Sequence, residues 1–532
     1  MDDCVGLFHV KTSQNLTMNA QKLAFHANMQ ELLLSAGGAG FRLKGGDMAI
    51  TSAVPLVQSG LVIESISPVS GQVVSIEAAH DRSSGLAAAA RAAAAFPAWS
   101  ARSATDRADN LLDIAVQLEQ RRDAFISAMT EEIGTPIEWA ESNVRFASEI
   151  LRHTASYADD VNHVERIESA PNIESKAVRV PCGVCLGIAP WNAPLVLGFR
   201  AIAMPLLCGN TVLLKGSEFA PRTFRLIAEV LDASHLPADV AAVVQTRAED
   251  SEEIVEALIS SPVVQRVNFT GSTRVGRRVA ELCAKHLKRP LLELGGQSTM
   301  VVLDDADIDL AADMALKGAF RNQGQICMST ERLIVSHSVA DALIERIEAG
   351  RRTLVLGDPR KPETDIGPVI SLAAAERLSG MISDAVSKGA KLVGGGKLRE
   401  AYVEPTLLDD VETDMRIYNE EVFGPILSIT RVANDLEAIT VANDSEYGLA
   451  CSVFSQNIER AEKLAAQVQS GICHINRSTV NDSPHAPFGG VKSSGYGRFG
   501  GRWAIHEFTE LRWVTRAVET ETTNQRKWEE TL

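Results

Sequence analysis

The sequence predicts an α/β fold built on parallel sheet. Short apolar runs at 184–189, 211–215, 240–244 and 263–269 read as buried strands, and helical stretches at 221–231 and 251–259 lie among them. Strands alternating with helices make βαβ units, whose crossovers set neighbouring strands parallel. After Gly295-Gly296 the alternation restarts: strand at 300–303, helix at 307–321, strand at 331–335, helix at 339–354. A chain of 532 residues holds about two or three domains of this kind.

Taken in order, residues 1–60 differ from the rest. Their periodicity is poor, glycines recur at 37, 38, 40, 45 and 46, and methionines at 18, 29 and 48. The stretch reads as a loosely ordered extension, or as the product of an upstream start with the true start near Met48. Regular structure begins near Leu61. Ser67-Pro68-Val69-Ser70-Gly71 reads as a turn between short strands. The alanine-rich run 86–96 is a strong helix former that Pro97 should end. Helical spacing at 106–122 sets Leu111, Leu112, Ala115 and Leu118 on one face. Helices follow at 122–132, stopped by Gly134-Thr135-Pro136, and at 141–157. Later, 426–431 and 471–475 read as strands, 476–485 as a polar loop, and the charged tail after Val518 as frayed.

Composition narrows the function classes. Hydrophobic residues make up 45% and charged residues 23%, as in an ordinary globular protein. The net charge of -16 argues against nucleic acid and anionic membrane as partners, since both call for a basic face. Eight cysteines in this length do not make a disulfide scaffold; they fit a reducing, cytoplasmic compartment. The opening Met1-Asp2-Asp3 lacks the basic start and apolar run of a secretory leader. The stretch 183–214 carries one charge, Arg200, but prolines at 190, 194 and 205 punctuate it. A buried strand, loop and helix is therefore expected there rather than a membrane span.

Several residues carry chemistry. Cys327 follows Gly324-Gln325-Ile326; a thiol becomes a nucleophile on ionisation, although most free cysteines simply fill a core. Glu293 sits in an apolar run, Leu291-Leu292-Glu293-Leu294. Burial would raise its pKa and make it a base for water; the alternative is a helix-end or loop carboxylate paired with Arg289 or another cation. Asn192 follows Pro190-Trp191 at the end of a buried strand, either as a turn former or as an amide donor to an oxyanion. Lys215 and Glu218 lie at the carboxyl edge where open α/β sheets bind ligands. They read as a solvated pair or as a ribose clamp, in which Glu218 would repel a 2′-phosphate and favour NAD over NADP. Gly271 and Ser272 open a strand-to-helix turn that lacks Gly-x-Gly-x-x-Gly spacing but suits phosphate by its position. Cys182 and Cys185 form a Cys-x-x-Cys with no second pair to complete a zinc site. Two small apolar residues flanking a strand are preferred to a redox pair, and no metal is expected.

In combination these stretches resemble one family. Pro190-Trp191-Asn192, Lys215-Gly216-Ser217-Glu218, Phe269-Thr270-Gly271-Ser272, Glu293-Leu294-Gly295-Gly296, Gly324-Gln325-Ile326-Cys327, Glu421-Val422-Phe423-Gly424-Pro425 and Pro487-Phe488-Gly489-Gly490 resemble the aldehyde dehydrogenase superfamily in content and order, over about 61–518. Cys327-Met328-Ser329-Thr330-Glu331-Arg332-Leu333 and Gly495-Tyr496-Gly497-Arg498-Phe499 are similar to the bacterial aromatic aldehyde dehydrogenases of the salicylaldehyde and vanillin type. The resemblance implies an aldehyde dehydrogenase-like α/β fold in three parts. These are a Rossmann-like NAD-binding domain (61–161 and 183–295), an α/β catalytic domain (296–490) and a small β oligomerisation flap (162–182 and 503–518) that joins subunits into homodimers or homotetramers.

The same resemblance implies roles. Cys327 would attack the aldehyde carbonyl, the Asn192 amide and the Cys327 backbone N–H would hold the oxyanion, and Glu293 would activate the water that releases the acid. Trp191, Lys215, Glu218, Gly271, Ser272, Glu421 and Phe423 would bind NAD. Ala193, Leu197, Arg200, Ile326, Met328 and the loop 479–481 would line the substrate tunnel, where small Ala193 beside Leu197 leaves room for a flat ring. Arg200 reads equally as a contact for a phenolate or carboxylate and as a salt bridge in the tunnel wall. The expected activity is oxidation of an aromatic aldehyde. A semialdehyde dehydrogenase, with Arg200 on a distal carboxylate, and a non-catalytic binding relative are the alternatives. One departure stands out: the family's usual lysine after Leu-Gly-Gly is Gln297 here.

Overall fold

The computed structural model describes residues 60–170 and 172–518. The extension expected before Leu61, Gly60 apart, and the tail expected to fray beyond Val518 lie outside the described residues.

Two large sheets carry the architecture. The first has six strands in the order Gly495–Tyr496, Arg289–Glu293, Val264–Thr270, Val184–Ile188, Thr211–Lys215 and Ala241–Val244. All neighbours run parallel except the short Gly495–Tyr496 strand. The second has seven strands: Lys391–Gly394, Thr406–Asp409, Ile426–Val432, Thr330–Ser336, Ser298–Val302, Ala450–Phe454 and Ile472–Ile475. Only its first pair is antiparallel. A smaller antiparallel sheet joins Glu165–Arg166, Ile173–Pro181 and Thr509–Ala517.

The period-two alternation of strands splits the core. In the first sheet Cys185, Val212 and Leu214 face one apolar cluster, while Val184, Leu186, Ile188 and Leu213 face the other. In the second sheet Met300, Val302, Leu333 and Val335 oppose Val301 and Ile334 in the same way. Parallel strands covered on both faces read as continuous apolar runs, which is why 183–214 looked like a span. There the chain folds as strand Val184–Ile188, helix Pro194–Leu207 and strand Thr211–Lys215, all buried. Among the described residues no helix is long and apolar enough to cross a membrane.

Two expectations need correcting, and one alternative reading falls. The alanine-rich helix does not stop at Pro97; it runs Arg82–Ser100 with Pro97 in its last turn. A proline there sacrifices one hydrogen bond near an end that frays anyway. The helix also starts earlier, because the Asp81 carboxylate accepts the Ser84 N–H at 2.7 Å. On the helix Ala104–Gln120, Leu111, Ala115 and Leu118 are buried, but Leu112 is 38% exposed, since a step of one residue turns about 100° from the buried stripe. Finally, Glu293 is neither a helix end nor a loop partner of Arg289. It is the last residue of the strand Arg289–Glu293, and Arg289 pairs with Glu507 at 3.1 Å.

That strand positions the site. Open parallel sheets bind ligands outside their carboxyl ends, and here Ile188, Lys215, Thr270 and Glu293 share that edge. Between Glu293 and Ser298, where the second sheet begins, lie only Leu294, Gly295, Gly296 and Gln297. The two sheets therefore meet at Glu293.

The helix Ala104–Gln120 supplies a stability test. Leu111→Ala is expected to cost about 2–5 kcal/mol, by lost transfer energy plus a cavity. Leu112→Ala should stay within about 0.5 kcal/mol, as surface changes do. Urea denaturation monitored by circular dichroism measures both, and equal losses would contradict this packing.

Candidate active site

Cys327 sits on a backbone held in an unusual state. Asn322, Gln323 and Gly324 all have positive φ, at 49°, 56° and 67°. Non-glycine residues in this region cost about 1–3 kcal/mol each and persist only where their surroundings fix them. Side-chain bonds do so here. Asn322 accepts from Thr135 Oγ1 at 2.6 Å and donates to the Asn192 carbonyl at 3.2 Å. Gln323 donates to the carbonyls of Gly134 and Pro368 at 3.0 and 2.9 Å. The Gln325 side-chain oxygen accepts the Ile370 N–H at 2.9 Å. Beyond the thiol, Ser329 donates to the Gly324 carbonyl at 3.0 Å and Thr479 to the Met328 carbonyl at 2.7 Å. The thiol itself is half-buried.

Asn192 and Glu293 converge on it. Asn192 Nδ2 donates one hydrogen to the Gln325 carbonyl at 2.9 Å, which fixes the amide and leaves its second N–H available. Its backbone carbonyl is held by Trp139 Nε1 at 3.1 Å. Among the described residues no acceptor takes the Cys327 backbone N–H. Two donors are thus left open, the Cys327 N–H and the second N–H of an amide bonded two residues upstream of the thiol, and donors of this kind can stabilise an oxyanion. Glu293 is fully buried, and neither carboxylate oxygen has a hydrogen-bond partner of ordinary geometry. Burial pushes its pKa up to about 7, with the neighbouring Cys327 thiol opposing the rise. Burial, and then the charge of Glu293, holds the Cys327 thiol well above the usual range. A thiol beside a buried carboxyl group with spare capacity is an arrangement that can serve as nucleophile and general base.

The walls around the thiol are apolar. Ala193, Leu197, Ile326 and Met328 are buried in one cluster with Phe488, and Val480, Trp139 and Cys327 pack against it. Arg200 is not free toward this space. Its guanidinium donates to Asp482 at 2.5 Å and lies 4.3 Å over the Phe488 ring.

A second group of residues lines the sheet edge and fits a dinucleotide. Lys215 is buried, with Nζ 3.3 Å from a carboxylate oxygen of the partly exposed Glu218. Ser272 is exposed ahead of the helix Thr273–Lys285 and makes no side-chain capping bond, so the helix's first N–H groups are open to an anion. Gly271 lies against the Phe269 ring, 2.5 Å from where a Cβ would stand, and its N–H donates to the Glu293 carbonyl at 3.1 Å. Trp191 meets Phe423 edge-on at 5.8 Å. Glu421 accepts the Gly296 N–H at 2.8 Å, and burial lifts its pKa to about 7.

Sequence reasoning missed the supports. Glu331 is buried and accepts the N–H groups of Val422 and Phe423, each at 2.8 Å, holding Phe423 at a φ of 45°. Arg377 donates to the carbonyls of Glu421 and Val422. Gln297 donates to the Tyr418 carbonyl at 3.0 Å and accepts from Ser445 at 2.9 Å; a lysine could donate but not accept. Asp482 and Phe488, which engage Arg200, were likewise not singled out as site residues. The one available signal was their place in polar loop and turn sequences. Cys185 is buried within its strand and Cys182 contacts Arg266 at 3.1 Å. Among the described residues no group of three or more His, Cys, Asp or Glu side chains could hold a metal.

Comparisons with known proteins agree on one family. Residues 57–514 match the profile of the aldehyde dehydrogenase family. A vanillin dehydrogenase of Pseudomonas fluorescens is 50% identical over 458 residues, covering 86% of this chain and 95% of the relative. The crystal structure of a salicylaldehyde dehydrogenase from Pseudomonas putida G7 complexed with salicylaldehyde superposes with a TM-score of 0.85 at 43% identity, over 87% of this chain and 96% of that one. A structure of PnpE in complex with nicotinamide adenine dinucleotide matches with a TM-score of 0.83 at 35% identity, over 87% and 96%.

The raised pKa of Glu293 sets a pH dependence. With the ionised carboxylate as the proposed base, activity is expected to be lost as pH falls through about 7 rather than through the ordinary 4.5. Ionisation is about one tenth at pH 6 and about nine tenths at pH 8. Single-turnover release of product should rise roughly tenfold per unit below that midpoint and level off above it, and Glu293→Gln should remove the rise. A midpoint near 4.5 would contradict the burial account.

Proposed function

Because the chain belongs to the aldehyde dehydrogenase family, we propose that it oxidises an aromatic aldehyde of the vanillin, salicylaldehyde or benzaldehyde type to the carboxylic acid, with NAD as hydride acceptor. The observation that carries this is the thiol–carboxyl pair inside an apolar wall. Cys327 and Glu293 adjoin one another, and Ala193, Leu197, Ile326, Met328 and Phe488 belong to the one apolar cluster against which Cys327 packs.

Each residue's part follows from its surroundings. Cys327 attacks the carbonyl carbon as the thiolate, its proton having passed to solvent, so that Glu293 stays ionised. The C=O electron pair moves to oxygen, where the free N–H of Asn192 and the N–H of Cys327 hold the oxyanion. The bound nicotinamide supplies the acceptor for the hydride that leaves the thiohemiacetal carbon. Glu293 then takes a proton from water, which attacks the thioester and releases the acid, restoring the thiol. Lys215 and Glu218 are suited to the adenosine ribose, the helix end at Ser272 to the pyrophosphate, Trp191 and Phe423 to the nicotinamide end, and Glu421 to its ribose.

The pairing of Arg200 with Asp482 weighs against the semialdehyde reading. A distal carboxylate would have to compete with a carboxylate already 2.5 Å from the guanidinium, in a buried setting where that exchange is costly. Preference for NAD rests on Glu218, which would face a 2′-phosphate. Cytoplasmic location fits the free thiols. Assembly into a homodimer or homotetramer fits the exposed Leu511 and Trp513 on the strand Thr509–Ala517, 62% and 73% exposed.

NADH formation across salicylaldehyde, vanillin, benzaldehyde, succinic semialdehyde and a short alkanal tests the substrate class. The aromatic members should lead in kcat/KM by about tenfold or more; a lead for succinic semialdehyde would overturn the reading. In the same assay Glu218→Ala should narrow the preference for NAD over NADP by about tenfold, through relief of like-charge repulsion.

A further inference from the structure

Two cysteines outside the site face each other at the edge of the second sheet. Cys451 and Cys473 are register partners on the parallel strands Ala450–Phe454 and Ile472–Ile475, and their Sγ atoms lie 3.0 Å apart. Cys451 is buried and its sulfur is 3.2 Å from Ser470 Oγ; Cys473 is exposed. The two therefore differ in role: one sulfur meets solvent and the other stands behind it. The hydrogen bond from Cys451 holds the Cys473 thiol below the ordinary thiol range, so the exposed sulfur ionises first.

The geometry points to a reversible disulfide between Cys451 and Cys473, formed by hydrogen peroxide. The Cys473 thiolate attacks one peroxide oxygen and the O–O bond breaks. The leaving hydroxide takes up a proton as water, and Cys473 becomes a sulfenic acid. Cys451 sulfur then attacks the sulfenic sulfur. The S–O bond breaks, the departing hydroxide takes the Cys451 proton, and a second water leaves. One peroxide is reduced to two waters while two thiols become one disulfide. The sulfurs need to approach by only about 1 Å to reach bonding distance, and a dithiol reductant reverses the bond by exchange. The bond would tie the last strand of the sheet to its neighbour. Just beyond that strand the chain carries Thr479, bonded to the Met328 carbonyl, and Asp482, bonded to Arg200. The disulfide thus anchors the base of the loop that packs beside the thiol of the active site, a role independent of which aldehyde that site takes.

The test uses full-length Cys327→Ser protein, so that the nucleophilic thiol does not consume the oxidant. After brief hydrogen peroxide treatment, free thiols are alkylated and the unreduced protein is digested and mass-mapped. The expected major product is a cross-linked peptide pair containing Cys451 and Cys473, lighter by two hydrogens than the separate peptides and lost on treatment with dithiothreitol. Cys473→Ser in the same background should abolish the cross-link and leave Cys451 open to alkylation. The oxidised protein should also unfold at a higher temperature than the treated Cys473→Ser variant. Recovery of Cys473 as sulfinic or sulfonic acid, pairing with any other cysteine, or persistence of both thiols after peroxide has oxidised added glutathione would overturn the proposal.

Discussion

The backbone of Gly296 passes so close to Cys327 that a Cβ on residue 296 would lie 2.1 Å from the Cys327 carbonyl oxygen. That approach is what lets the end of one sheet touch the loop that leads into a strand of the other. Three residues before Gly296 the first sheet delivers Glu293; two residues after it the second sheet begins at Ser298. The Gly296 N–H meanwhile goes to Glu421 at 2.8 Å. Cys327, Glu293 and Glu421 are thereby located by one crossing of main chains. A side chain at 296 would push all three apart.

The electrostatics follow from the same crowding. Glu293 is enclosed with no hydrogen-bond donor of ordinary geometry for its oxygens, so its ionised form is poorly stabilised and its pKa moves to about 7. Glu331 is just as buried but accepts two backbone N–H groups. Its pKa is also raised, by burial and by the charge of Glu421. The difference lies in use. Glu331 is spent on the turn that carries Glu421 and Phe423, whereas Glu293 has both oxygens available. Arg200 provides the parallel contrast, since its charge is absorbed by Asp482 and its face by Phe488.

How much of this was legible in the sequence varied with the range of the interaction. Local signals read well for the fold, where the apolar runs became strands; Gly-Gln-Ile-Cys and Leu-Glu-Leu-Gly-Gly singled out Cys327 and Glu293, which the structure brings together, because each stretch is short and chemically odd. Partnerships across long separations did not read. Arg200 with Asp482, Gln297 with Ser445, and Glu331 with the Val422 and Phe423 amides join residues far apart in the chain, and nothing in their local composition announces the pairing. Pro97 misled because its cost depends on where in the helix it falls. Leu112 misled because a neighbour of a buried leucine looks apolar in sequence while pointing to solvent. Strands such as Ala450–Phe454 and Thr406–Asp409 went unread because buried runs of four or five residues carry too little periodicity.

The proposed chemistry requires that Cys327 carry the acyl group and Glu293 release it. Its most direct test is intact-mass measurement of the Glu293→Gln protein mixed with NAD and benzaldehyde. A benzoyl adduct should accumulate, map to Cys327 and form alongside a near-stoichiometric burst of NADH without steady turnover. Sustained turnover with no adduct, or an adduct on any other residue, would contradict it.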